Sequence, residues 1–158
     1  PGLVANQTNL PRLDYRLTAS AQDLEGHFRV REQVFVTEQR IFVGSDRDGV
    51  DDDTRTCHAV ASYENTIVGA VRFYPTNDDG TWIGDRLAVD QAWRVHLVGM
   101  DLVHFAVTTA GAMGGRLMRA HIQTPNVRFF ERLGWNREGG VHEFLGVPHQ
   151  DMSKVLGQ

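Results

Sequence analysis

The chain has 158 residues, enough to bury a substantial core without metal or disulfide cross-links. Its formal net charge of −4, from 16 Lys and Arg against 20 Asp and Glu, argues against a general nucleic-acid-binding surface. No apolar run approaches the roughly 18 residues of a membrane span, and the single cysteine, Cys57, excludes an intrachain disulfide. We therefore expect a cytoplasmic protein that binds neither nucleic acid nor membrane, with Cys57 as a small buried residue.

The first part of the chain predicts an arm, a strand and a helix. Residues 1–13 lack periodicity and contain two prolines, which indicates an extended N-terminal arm before a single domain over 14–158. A short strand is expected over 14–18. Ser20 followed by Asp23 is a helix-capping signal, and the helix is predicted to carry a stripe formed by Leu24, Phe28, Arg31 and Phe35.

Residues 44–54, GSDRDGVDDDT, form a loop dense in carboxylates. A solvated turn is the favoured interpretation. A calcium site is a weaker alternative, because the spacing does not match the Asp-x-Asp-x-Asp-Gly loop with its late Glu. A third alternative is that some of these carboxylates attract a cationic acceptor substrate.

The middle of the chain predicts strands, a polar turn and a helix. Apolar residues mark strands over 57–61 and 66–74, and the polar residues 77–80 indicate a tight connection into a strand over 81–89. The helix after the turn is expected to end near 114–115. Its apolar face is formed by Leu102, Ala106, Ala110 and Met113.

The last part predicts a strand over 117–123, a helix and two more strands. Thr124 is expected to cap the helix, Pro125 to start it and Gly134 to end it. Trp135 and the segment 141–147 mark the final strands, after a glycine turn at 139–140. The order of elements predicts a mixed α/β fold.

The turn before the second long helix is a candidate anion site. Backbone N–H groups at a helix start converge on one point, at the positive end of the helix dipole. Residues 94–100 are therefore predicted to bind a phosphate-bearing ligand. The alternative is a plain turn with Arg94 on the surface.

Two motifs resemble the GNAT superfamily of N-acetyltransferases. RVHLVG (94–99) is similar to its coenzyme A pyrophosphate loop, (Q/R)xxGxG/A, and FFERLGW (129–135) to its F-Y-E-K-x-G-F helix end. Leu97 stands where the first loop glycine is expected, and Phe130 where the family often has a tyrosine general acid. From about Arg29 to Met152 the chain resembles the ElaA-like branch, through VREQVFVTEQ, the acidic loop with His58 after it, IVGAVRFYP, HIQTPNVRFFERLGW and GVPHQDM.

The resemblance implies a GNAT-like acyl-CoA N-acyltransferase fold. This is an α/β (α+β) fold with a mixed, mostly antiparallel sheet of six or seven strands, splayed central strands and about four helices. It also implies transfer of an acyl group from acetyl-CoA to a small amine by direct attack in a ternary complex, and leaves a homodimer open. The implied coenzyme-binding residues are Leu87, Val89, Arg94, Val95, His96, Leu97, Val98, Gly99, Met100, Gln123, Asn126 and Phe130.

Proton transfer has several candidates. Asp85, His58 and Glu38 are the catalytic residues predicted first, with His142 and Glu143 as further bases acting directly or through water. Each has a structural alternative: Asp85 pairing with Arg72 or Arg86, and His58 as a buried strand histidine. His104, His121 and His149 are expected to be structural, and Phe130 to be core that could also line the coenzyme channel.

Two other functions remain open. VREQVF, Asp48 and Asp51, GAVRFYPT and WIGDRLAVD also resemble acyl-homoserine-lactone synthases, which use S-adenosylmethionine and an acyl donor. In that family, positions such as Arg31, Phe35 and Arg72 would matter as well. A non-catalytic GNAT-fold domain that binds a metabolite or protein is the other alternative, which the departures at Leu97 and Phe130 favour.

Overall fold

The computed structural model describes residues 12–157, so nearly all of the predicted arm lies outside the described residues. These residues form a seven-stranded sheet in the order β1-β2-β3-β4-β5-β7-β6. Only β4 and β5 run parallel, which confirms the mixed, mostly antiparallel sheet. The strands are β1 (Asp14–Leu17), β2 (Cys57–Tyr63), β3 (Thr66–Pro75), β4 (Thr81–Val89), β5 (Leu117–Gln123), β6 (Asn136–Phe144) and β7 (Val147–Val155).

Three α-helices cover the sheet in the described part of the chain, where about four helices were expected. They are α1 (Ala21–Arg31), α2 (Val98–Ala112) and α3 (Val127–Arg132). A π-helical segment, Glu32–Glu38, extends α1, and short 3-10 turns cover Gly49–Asp52, Gln91–Trp93 and Thr124–Asn126. α1 packs on one face of the sheet, whereas α2 and α3 share a hydrophobic core on the other.

Side chains alternate between these two faces along β3, as the pleat of a strand requires. Val71 and Phe73 belong to the main core with Leu102 of α2. Ala70 belongs to the smaller core under α1, with Val30. Arg72 points to the α1 face as well. Its guanidinium group is buried there and pairs with three carboxylates.

Ser20 caps α1 as predicted, since its Oγ accepts a hydrogen bond from the amide of Asp23 (3.1 Å). The predicted apolar stripe is only partly correct. The buried face includes Gly26, His27, Val30 and Arg31, whereas Leu24 and Phe28 are only half-buried. The cause is the close contact between Gly26 and β3: a Cβ at this glycine would lie 2.4 Å from Cγ1 of Ile67, so this side of α1 faces the sheet.

Three predictions in the second half of the chain need correction. Thr124 does not cap α3 with its side chain, because it starts a 3-10 turn that runs into the helix. Gly139 and Gly140 lie in an irregular stretch within β6, where the register with β7 shifts, and the tight turn comes later at Leu145 and Gly146. Met113 ends α2 as an exposed cap residue instead of joining its apolar face.

A bulge in β4 opens the centre of the sheet. Ala70 pairs with Ala88 and Arg72 with Asp85, so β4 contains one residue more than β3 over this stretch. Arg86 lies in the bulge with φ of 53°, a left-handed conformation that is costly for a residue with a side chain. Within the described residues, β4 and β5 pair only at Thr81–Ile83 with Leu117–Arg119 and then diverge, as expected for splayed strands.

Candidate active site

The gap between β4 and β5 opens into a cavity of about 360 Å³. Its walls on the α2 side are apolar and include Val103, Ala106 and Phe130. Its walls on the α1 side carry the polar side chains of Asp48 and Asp85. Because the cavity passes between the two strands, groups approaching from opposite faces of the sheet can meet inside it.

Backbone donors gather at one end of this gap, in the first turn of α2. Among the described residues, the amides of Leu97, Val98, Gly99 and Met100 donate to no protein acceptor, and the amide of Asp101 is the first to bond back, to the carbonyl of Leu97 (2.9 Å). The amides of Arg94 and His96 are instead used within the preceding turn, and Val95 is exposed. Unused donors at the positive end of a 15-residue helix form an anion-binding arrangement.

The unusual Leu97 does not strain this turn. Its φ is −83°, which any L-residue can adopt, so the helix start requires no glycine at this position. Gly99, two residues later, faces the gap. A Cβ at Gly99 would lie 3.8 Å from Cγ2 of Val89 and 4.0 Å from Cζ of Phe129, so a methyl group fits there and a longer side chain would extend between these residues.

The end of β4 directs backbone groups toward the same gap. The carbonyl of Val89 accepts a hydrogen bond from Nε of Arg94 (3.1 Å), whereas the next amide, that of Asp90, bonds to Val68 of β3 (2.8 Å). Because the N–H and C=O of one strand residue point to the same side, the amide of Val89 also faces away from β3. Leu87, two residues earlier, lines the cavity.

Arg94 is less available for an anion than the sequence suggested. Its Nη2 donates to both carboxylate oxygens of Glu38 (2.8 and 3.0 Å). The adjacent Gln39 accepts a hydrogen bond from Nε2 of Gln123 at the end of β5 (3.0 Å). Two neighbouring residues after α1 therefore contact both sides of the gap, one at the α2 turn and one at β5.

Several of the other predicted coenzyme residues line the cavity. Gln123 and Asn126 do so from the end of β5 and the turn after it. Phe130 is both core and cavity wall, because it is buried edge-on against Trp135 (ring centroids 5.4 Å apart) and faces the cavity. With no hydroxyl, it can contribute only apolar contact there.

The acidic loop is only in part the solvated turn that the sequence favoured, because most of its residues are exposed but two of its carboxylates are not. It folds onto the α1 face of the sheet, where Asp46 and Asp51 are buried. Nε of Arg31 donates to Asp46 (2.7 Å), and its two Nη atoms donate to Asp51 (2.8 and 3.0 Å). Arg72 and the bulge residue Arg86 complete the cluster, and the salt bridge of Arg86 to Asp46 (3.1 Å) fixes its side chain over the loop.

Charge pairing keeps Asp51 and Asp48 ionised. Burial by itself would raise the pKa of Asp51, but hydrogen bonds from His58 and Arg31 outweigh it and hold this pKa well below its usual range. Burial likewise opposes ionisation of Asp48, and the hydrogen bond from Arg72 outweighs it and lowers the pKa of Asp48. The Asp48 side chain is 44% exposed, so its charge faces the cavity.

The three predicted catalytic side chains lie in different surroundings. Asp85 lines the cavity, but both its oxygens accept hydrogen bonds from Arg72 (2.7 Å each), which is the structural alternative the sequence left open. His58 is buried, with Nε2 2.9 Å from Asp51, and is not among the described residues lining the cavity. Glu38 pairs with Arg94 beside the helix turn. The structure therefore does not bring the three together.

Two histidines that were expected to be purely structural line the cavity. His121 on β5 is exposed and contacts Asp151 of β7 through Nδ1. His149 is buried, with Nδ1 2.8 Å from the carbonyl of Val147. His121 looked like a core residue because its sequence neighbours are apolar. Alternate residues of β5 face opposite sides of the sheet, so those neighbours face the core and His121 does not. A strict period-two reading of LMRAHIQ would have placed His121 opposite the core.

Comparison with known proteins identifies the family. A sequence model described as "Acetyltransferase (GNAT) family" matches residues 21–135. The chain belongs to the GNAT acetyltransferase family. This match includes the α2 turn, both strands of the cleft and α3, so the GNAT family prediction is confirmed.

One relative with a similar sequence carries an acetyltransferase name, and the structure of ElaA has a similar fold. The protein "Putative acetyltransferase BSU40680" of Bacillus subtilis (strain 168) is 27% identical over 143 residues, covering 90% of this chain and 96% of the relative. The crystal structure of Escherichia coli ElaA has the same fold, with a TM-score of 0.79, 23% identity, and coverage of 92% of this chain and 99% of ElaA. ElaA is thus a structural neighbour of this GNAT protein, as its motifs suggested.

Another GNAT-fold neighbour has a solved complex with an acyl-coenzyme A. It is the CoA-dependent acyl-homoserine lactone synthase BjaI, solved with SAM and isopentyl-CoA, with a TM-score of 0.74 and 19% identity. The alignment covers 85% of this chain and 76% of BjaI. The likeness shows a shared fold, and a co-substrate of the coenzyme A type is consistent with it.

Across residues 12–157, no helix is both long enough and apolar enough to cross a membrane.

Proposed function

We propose that this GNAT protein transfers an acyl group, acetyl in the first instance, from coenzyme A to a small cationic amine. The observation that carries the proposal is the set of amides at the start of α2, directed to the end of the cleft between β4 and β5. Four of these amides lack protein acceptors among the described residues. In the proposal they hold the coenzyme pyrophosphate, as the helix dipole favours.

The cleft suits the rest of an acyl-coenzyme A. The outward backbone groups of Val89 and the wall residue Leu87 would hold the pantetheine arm along β4, and Phe130 would provide apolar contact on the α2 side. Bound there, the thioester supplies an already activated acyl group. The protein then has to orient the amine, keep competing water away and accept a proton.

The α1 side of the cavity suits a cationic amine. Asp48 exposes its charge there, and Asp85 lies beside it with both oxygens fixed by Arg72. Carboxylates that arginine side chains keep in one geometry can bind an ammonium group without reorganising. Direct attack in a ternary complex is the proposed mechanism, because the cavity connects both faces of the sheet at the gap.

Proton transfer in this proposal is not assigned to the α3 position where the family often has a tyrosine, since Phe130 has no hydroxyl. Asp85 and Asp48 are the carboxylates closest to the proposed acceptor space by their position in the cavity wall. We assign them to binding and orienting the amine. In the proposal, water in the cavity carries one proton from the ammonium group to bulk solvent, so that the neutral amine can attack. The C–S bond of the thioester breaks as the C–N bond forms, and the second amine proton goes through water to the departing coenzyme A thiolate.

Coenzyme binding by isothermal calorimetry tests the proposal, with two variants at one position. Gly99→Ala adds a methyl group for which there is room, so its affinity for coenzyme A should stay within about threefold of wild type. Gly99→Glu adds bulk and a negative charge at the anion site, so affinity should fall by at least about 100-fold, or roughly 3 kcal/mol. Thermal unfolding of both variants checks that they remain folded.

Unchanged coenzyme affinity in Gly99→Glu, or no binding to wild type, would contradict the assignment of the α2 turn. A wild-type protein that binds coenzyme A without acetylating any of a panel of small amines would support the non-catalytic alternative. Coenzyme A should also raise the melting temperature, since a ligand that binds only the folded state stabilises it.

A synthase-like function is the second candidate, favoured by one observation. Arg31, Asp48, Asp51 and Arg72, which the sequence analysis linked to acyl-homoserine-lactone synthases, do form one connected cluster beside the cavity. S-adenosylmethionine in the same calorimetric assay separates the two candidates. Binding of S-adenosylmethionine together with acyl-coenzyme A would favour the synthase-like function, and its absence would favour the amine acceptor.

A further inference from the structure

Three side chains that can bind a metal ion meet on the same face of the sheet as α1, beyond the strands that this helix covers. They come from adjacent strands: His121 from β5, Asp151 from β7 and His142 from β6. The register pairs His121 with Asp151 directly and pairs His142 with His149, two residues from Asp151 on the same face. One potential ligand atom from each of the three lies within 4.8 Å of the others.

Both imidazole rings approach the same carboxylate oxygen. Nδ1 of His121 contacts Oδ1 of Asp151, and Nδ1 of His142 lies 3.7 Å from that oxygen. The two rings stand edge to face, with centroids 5.3 Å apart. Within residues 12–157 the Asp151 carboxylate forms no salt bridge with Lys or Arg, so these two imidazoles are its potential charge partners.

We propose that His121, His142 and Asp151 form a binding site for a divalent transition-metal ion of the zinc type. Two imidazole nitrogens and one carboxylate oxygen are a ligand set that such ions prefer, and three protein ligands leave a position for water. Zinc–ligand bonds of about 2.0–2.2 Å put tetrahedral ligand atoms about 3.4 Å apart. The three ligand atoms therefore need shifts of only about an ångström.

The scaffold allows these shifts and keeps the backbone in place. The side chains of His121, His142 and Asp151 are 61%, 42% and 45% exposed, so their rotamers can adjust without disturbing the core. Their backbones are held in paired strands, which keeps the ligands near one another before the ion arrives. His121 also belongs to the cavity wall, so the ion would be held beside the space proposed for the amine.

Zinc titration by calorimetry of tag-free protein tests this proposal without requiring any enzymatic activity. We expect one Zn²⁺ per chain, and Co²⁺ should produce visible absorption bands on binding. His142→Ala removes a ligand on the exposed edge strand and should weaken Zn²⁺ binding by at least about tenfold, since even the loss of an outer-shell partner costs 10–100-fold. Asp151→Asn is a second, nearly isosteric variant with the same expected direction.

His104→Ala is the matched control, because His104 is exposed on α2, away from this face. It should keep wild-type affinity. The proposal is overturned if wild type binds no Zn²⁺, or if both site variants bind as tightly as wild type while remaining folded by thermal unfolding. Because coenzyme A binding is measured separately, failure of the metal site and failure of the acyltransferase proposal are distinguishable.

Discussion

A buried histidine should make the stability of this protein depend on pH in a defined window. His27 of α1 is fully buried, with Nδ1 3.0 Å from the carbonyl of Ala59 and Nε2 3.2 Å from Nη1 of Arg31. A guanidinium can only donate, so Nε2 must accept and Nδ1 must donate, which requires a neutral ring. Desolvation, with a smaller contribution from the positive charge of Arg31, lowers the pKa of His27 to about 3.

The direction of this pH dependence follows from the number of protons that the folded and unfolded states bind. Below about pH 6.5 the unfolded chain protonates this histidine and the folded state does not, so stability is full above pH 6.5 and falls with acidification. Two pH units of this interval lie below pH 6.5, and one proton costs about 1.4 kcal/mol per pH unit. Lowering the pH from 7.5 to 4.5 should therefore remove about 3 kcal/mol of the free energy of unfolding. The lower end of this window approaches the ordinary pKa of Glu, about 4.3, so a variant that lacks only this histidine is needed to separate its contribution from that of the carboxylates.

Urea unfolding at several pH values measures this difference. His27→Gln replaces the imidazole with a group that can donate and accept but does not titrate. Between pH 7.5 and 4.5 wild type should lose about 3 kcal/mol more of its free energy of unfolding than this variant. His104→Gln on the exposed side of α2 should retain the wild-type dependence. Parallel curves for wild type and His27→Gln would refute the assignment of a neutral, buried ring.

Three further predictions concern packing, charge and the coenzyme turn. Gly26→Ala should lower the free energy of unfolding by about 1–3 kcal/mol in urea, because its Cβ would overlap Ile67, whereas Gly49→Ala, with open space around it, should change it little. Asp51→Ala should lower the free energy of unfolding by about 3 kcal/mol, because the removed carboxylate pairs with buried arginines. A loss under about 1 kcal/mol would mean that the charge cluster tolerates the missing carboxylate. Leu97→Gly should leave the affinity for coenzyme A, measured by calorimetry, within about threefold of wild type, because the φ of Leu97 is already negative. A large gain in affinity would mean that the coenzyme-bound state needs a glycine at this position.

The local elements of this protein could be predicted because their causes lie close together in the chain. The Ser20 cap, the strand at 117–123 and the donor-rich turn before α2 each depend on a few consecutive residues. The family motifs added the expectation of splayed strands, which the bulge at Arg86 accompanies. Sequence could not place the stripe of α1 correctly, because the contact of Gly26 with a distant strand decides which side is buried.

The chemistry of the site depended on contacts between distant segments. The acidic loop looked solvated because its partners, Arg31 and Arg72, lie on a helix and a strand far along the chain, and only folding brings the charges together. His121 and Asp151 are 30 residues apart and meet because β5 and β7 pair. Sequence therefore determined the elements and the family, through short-range hydrogen bonding and periodicity. The tertiary structure decided which charges are buried and which ligands converge, because both depend on the register of strands and not on spacing along the chain.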